Sequence, residues 1–91
     1  MRTSAGFEVA VYDLAFWIAL DGPLSREAIG ELKPRLVGGA TNDHAVDMWI
    51  TRALHRMRDI GIPLTVELSR FRGGWDYNIP LSWIEEGYCA G

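Results

Sequence analysis

Between Met48 and Trp75 the chain carries five arginines, Arg52, Arg56, Arg58, Arg70 and Arg72, against two acids, Asp59 and Glu67. The first 47 residues have the opposite balance, with four basic and seven acidic side chains. Arginine suits phosphate chemistry because its planar, permanently charged fork donates hydrogen bonds in pairs. A basic half on a chain of net charge −3 is the asymmetry of a protein that sets one face against a polyanion. The same net charge argues against indiscriminate binding to nucleic acid.

Other chemistry finds less support. His44 and Asp47 lie one helical turn apart, as metal ligands can. No second pair of His or Cys completes a tetrahedron, so neither a metal nor a cofactor is expected. Cys89 and the two histidines are far apart and form no recognisable nucleophile–base pair. Gly38-Gly39 follows a helix rather than joining a strand to one, unlike a nucleotide-binding loop. An enzyme is therefore not expected. Trp17, Trp49, Trp75 and Trp83 could stack on bases, but small domains use aromatics as core filling, and that is the expectation for them.

Ninety-one residues with 48% hydrophobic content make one small domain, residues 1–91, with a core over about 7–86. A single cysteine excludes an internal disulfide framework and suits a reducing compartment. No 18-residue apolar run and no secretory signal pattern occur, so a cytoplasmic protein without a membrane span is expected.

The arginines need elements to hold them. From Asn42 to Ile60, Val46, Ile50, Ala53, Met57 and Ile60 recur at helical spacing, and Gly61 and Pro63 end the run. Leu64, Val66 and Leu68 alternate with Thr65 and Glu67, predicting a half-buried strand. Ser69 to Gly74 form a turn, and Trp75, Tyr77 and Ile79 alternate again. Phe71 at that turn is expected to fold back or meet a partner. Phe7 to Leu20 reads as a first helix with two apolar stripes: Phe7, Val11, Leu14 and Ile18, then Val9, Tyr12, Phe16 and Leu20. Ser25 caps a short second helix, Arg26 to Lys33, which Lys33-Pro34 closes. Leu24 can pair briefly with the later hairpin, and Ser82 can cap a short turn from Trp83 to Glu86. The predicted core is Leu14, Ile18, Ile29, Leu32, Val46, Ile50, Met57 and Ile60. The expected fold class is α+β: a winged helix-turn-helix, three helices followed by a β-hairpin wing.

Three stretches carry a family resemblance: Gly22-Pro23-Leu24-Ser25-Arg26-Glu27-Ala28-Ile29, Arg58-Asp59-Ile60-Gly61-Ile62-Pro63-Leu64, and Tyr77-Asn78-Ile79-Pro80. Over roughly residues 14–80 the chain resembles the N-terminal winged-helix domain of WYL-type bacterial transcription regulators, itself similar to DeoR-like domains. The family's recognition helix carries an Arg-Asp pair. Arg52 matches the arginine, Ala53 stands at the aspartate, and the preceding loop is longer. The resemblance implies a stand-alone DNA-binding module without the family's ligand-sensing domain.

Helix three, opposite its apolar stripe, offers His44, Met48, Thr51, Arg52, His55 and Arg56, and the turn offers Arg70 and Arg72. These are the expected contacts to double-stranded DNA, Thr51 and Arg52 reaching base edges or phosphates and the turn arginines gripping backbone. The second stripe of the first helix exceeds what so small a domain can cover. Val9, Tyr12, Phe16, Trp17 and Leu20 are therefore expected to form a homodimer interface. The alternative is a winged-helix adaptor or inhibitor, such as a mobile-element antirepressor, whose partner is a protein.

Overall fold

The computed structural model describes residues 3–37, 42–70 and 73–90, with side chains from 6 to 86 within those segments. Phe71, Arg72 and the side chain of Cys89 lie outside them. The described residues form an α+β fold of four helices and a small antiparallel sheet.

Helix α1, Thr3–Asp21, supplies the floor of the core: Val11, Leu14, Ala15 and Ile18 are fully buried. Strand β1, Leu24–Ser25, leads into helix α2, Arg26–Leu36, whose N-cap is Ser25. The Ser25 hydroxyl accepts the Ala28 N–H at 3.1 Å, satisfying one of the free donors of the first turn. The helix does not close at Lys33-Pro34. It runs to Leu36 with Pro34 inside its last turn. Proline withholds one N–H there, but Leu32 and Leu36 pack on the core and the Val37 N–H closes onto the Lys33 carbonyl at 2.9 Å.

Helix α3, Asp43–Asp59, starts where Asn42 Oδ1 accepts the Ala45 N–H at 2.9 Å. Its end is a Schellman motif: the Gly61 N–H bonds the Arg58 carbonyl and the Ile62 N–H bonds the Met57 carbonyl. Gly61 sits at φ +86, a conformation that costs an L side chain energy. Ile62 is buried beside that junction, so the cap also directs the chain from α3 into the sheet.

Strands β2, Thr65–Leu68, and β3, Trp75–Asn78, form the hairpin, and the strand order is β1-β3-β2. Leu24 pairs with Tyr77, as the short pairing predicted from the sequence requires. Strand β2 is not half-buried. All four of its residues are exposed, Leu68 at 68%. It is an edge strand, paired only with β3, and among the described residues nothing covers its outer end.

A fourth helix, α4, Leu81–Ala90, replaces the short Trp83–Glu86 turn. It begins directly after Pro80, whose carbonyl accepts the Trp83 N–H at 3.0 Å. Trp83 stacks at 5.4 Å and 40° on Phe16 of α1, and this contact holds the added helix.

Leu14, Ile18, Ile29, Ile50 and Met57 are buried as expected, while Leu32, Val46 and Ile60 are half-buried against them. Val11, Ala15, Ala53, Leu54, Ile62 and Ile79 complete the cluster.

Candidate nucleic-acid interface

Helix α3 buries Ile50, Ala53, Leu54 and Met57 and leaves the opposite side to solvent. His44, Met48, Thr51, Arg52 and His55 are all exposed on that side. The structure brings these five residues onto one helix but gives their neighbours distinct tasks.

Arg26, at the start of α2, reaches across to α3. Its Nη2 donates to Asp47 Oδ1 at 2.7 Å, to the Asp47 carbonyl at 3.0 Å and to Thr51 Oγ1 at 2.8 Å. Burial works against the Arg26 charge, but hydrogen bonds with Asp47 and Tyr77 outweigh it and hold its pKa above the usual arginine value. Asp47 is thus paired with a cation rather than left as a free carboxylate on this helix. Thr51 is an acceptor for Arg26, which fixes its hydroxyl.

Arg56 turns to the other flank. Its Nε donates to Glu8 Oε2 at 2.6 Å and its Nη2 to Oε1 at 3.3 Å, tying α3 to α1. That hydrogen-bonded pairing raises its pKa. Arg52 lies with its guanidinium 5.8 Å from the centre of the Phe7 ring, a cation–π contact that leaves its donors accessible. Arg70 is exposed at the hairpin, and Arg72 falls outside the described residues.

Arg58 is a functional candidate missing from the expected site. Thr51, His55 and Arg58 follow at spacings of four and three, the helical signal that could have found it. All three line one groove between α3 and the hairpin, together with Arg26, Leu54, Val66, Trp75 and Tyr77. The groove has a volume of about 470 Å³. Among the described residues Arg58 and Arg70 form no ion pair.

The tryptophans divide. Trp49 and Trp83 pack against the core, as expected. Trp17 and Trp75 do not fill it: they are 37% and 54% exposed. Trp75 sits opposite Leu68 on the hairpin end that nothing covers, and Trp17 faces out from α1.

On α1 the second stripe is open. Val9 is 61% and Leu20 66% exposed, and Tyr12 is exposed too. Phe16 is the exception, half-covered by Trp83. A depression of about 230 Å³ lies among Phe16, Trp17, Leu20 and Leu36.

Among the described residues no His, Cys, Asp and Glu cluster could hold a metal ion, and no helix is long and apolar enough to cross a membrane. No protein-family model, curated protein or solved structure matches this chain.

Proposed function

We propose that this chain is a winged-helix DNA-binding protein, a small cytoplasmic transcription regulator similar to the WYL-type and DeoR-like modules. It acts by occupying its operator as a homodimer. The observation that carries this reading is an exposed face of α3 that shares one groove with the hairpin, at whose turn Arg70 is exposed. A helix of that kind fits a major groove, and the turn then meets the flanking backbone.

Within this reading His44, Met48, Thr51, Arg52 and His55 face the base edges. Arg58 and Arg70 meet phosphates, while Arg72 lies outside the described residues. Arg58 takes the place among the DNA contacts first expected of Arg56, which Glu8 holds instead. Arg26 prepares the surface by neutralising Asp47. The α1 stripe pairs two copies, so two helices address two half-sites.

Selection from random-sequence duplexes tests the proposal. The chain should enrich a two-fold symmetric site. Arg52→Ala should relax the preference if Arg52 reads a base, whereas Arg58→Ala and Arg70→Ala should weaken all sequences alike. Failure to enrich any site, with the folded protein in excess, counts against it.

The adaptor reading draws on a different observation. Asp43 and Asp59 are exposed on α3, and the α1 stripe is apolar and open. A protein partner seated on α1 would leave DNA out altogether, and such binding would be nearly insensitive to salt.

A further inference from the structure

Trp75 is the large aromatic that the fold leaves unexplained. It is 54% exposed, and its cross-strand neighbour Leu68 is more exposed still. Cross-strand partners share a face of the sheet, so Trp75 and Leu68 extend the side on which Tyr77 and Val66 line the groove. The result is an aromatic wall, Trp75 and Tyr77, across the groove from Arg58 and His55 of α3.

Arg26 and Arg58 line the groove with the imidazole of His55, and among the described residues no carboxylate belongs to its lining. Arg26 is already bonded to Asp47 and Thr51, which leaves Arg58 as the arginine available to an incoming anion. A volume of about 470 Å³ suits a small ligand rather than a single ion.

We propose that the groove between α3 and the hairpin binds one nucleotide unit, its base stacked on Trp75 and its phosphate on Arg58. An aromatic face beside cations is what recognises an unpaired base, because every base offers a π-face. Bases inside a duplex hide those faces in the stack, so the occupant is a free nucleoside monophosphate or an unpaired position in a strand. The site rests on the groove's own lining and stands whether or not a duplex docks on α3.

The test uses the full chain and four probes: AMP, a short oligothymidylate, a blunt duplex and inorganic phosphate, each titrated by calorimetry. AMP, the single strand or both should bind saturably. Binding of AMP alone assigns the site to a free nucleotide, and binding of the strand alone assigns it to an unpaired position. Trp75→Ala should weaken binding roughly 5- to 150-fold, the range set by one base–aromatic stack, while Trp75→Phe keeps most of it. Arg58→Ala should weaken it roughly 10- to 150-fold, as loss of a hydrogen bond to a charged group does. Both side chains are exposed, so circular dichroism should find the variants folded. The proposal is overturned if neither AMP nor the strand binds, if Trp75→Ala leaves affinity unchanged, or if inorganic phosphate binds as tightly as AMP. Duplex binding that survives Trp75→Ala but falls with Arg58→Ala and Arg70→Ala would leave the duplex reading standing while this one fails. Nucleotide binding without duplex binding gives the reverse.

Discussion

Gly61 joins the helix proposed to read DNA to the hairpin proposed to flank it, so its conformation controls their relative placement. It sits at φ +86 and completes the Schellman motif through its N–H to the Arg58 carbonyl at 3.1 Å. A Cβ built there meets nothing within 4 Å, so replacement by Ala carries conformational strain without a clash. The left-handed region costs an L residue about 1–2 kcal/mol. Alanine also restricts the unfolded chain, which offsets roughly 0.4–1 kcal/mol. At the middle of both ranges the net loss for Gly61→Ala is about 0.8 kcal/mol, or a midpoint lower by roughly 3–6 °C for a chain of this size. Asn tolerates the region better, so Gly61→Asn should fall between wild type and Gly61→Ala. Gly73 also has open space at its Cβ but no positive φ, and Gly73→Ala should leave the midpoint unchanged or slightly higher. Thermal denaturation followed by circular dichroism measures all three. A Gly61→Ala midpoint equal to or above wild type would refute the left-handed cap and the junction built on it.

Asn42→Ala removes the N-cap of α3 and should cost about 1 kcal/mol by urea denaturation; an unchanged midpoint would mean that the Ala45 N–H does not depend on Asn42. Val9→Glu with Leu20→Glu should leave the fold intact, since both residues are exposed, yet convert a dimer to a monomer by light scattering. A well-behaved wild-type monomer at micromolar concentration would end the dimer proposal. Gly22→Ala should destabilise more than Gly61→Ala, because its Cβ would run into the Ile18 carbonyl, a backbone atom that cannot swing aside.

Helix α3 was legible because its signals are local: a 3.6-residue apolar period, a run of capping residues (Thr41, Asn42 or Asp43) at the start, and Gly61 and Pro63 at the end. The brief pairing of Leu24 with the hairpin was legible for the same reason, an apolar residue between a turn and a good N-cap. Exposure of the hairpin was not. Alternation in Val66, Leu68, Trp75 and Tyr77 tells which residues share a face, not whether anything covers it. The two ion pairs were also hidden, since Arg26–Asp47 and Arg56–Glu8 span 21 and 48 residues. No local pattern shows that Glu8 claims Arg56, or that Arg26 masks Asp47. The extent of α2 past Pro34 depends on packing of Leu36 against the core, where tertiary contacts override a local breaker.

Affinity for a duplex across a salt series, by fluorescence anisotropy, tests the DNA-binding claim most directly. Arg58 and Arg70 in each of two copies would neutralise four phosphates, giving a slope of log affinity against log salt of about −3.6. Affinity should then fall roughly a hundredfold between about 50 and 200 mM salt. In the Arg58→Ala and Arg70→Ala double variant the slope should flatten by most of that amount, whereas Arg56→Gln should keep it. No measurable duplex binding at low salt, or binding with a slope near zero, would contradict the claim.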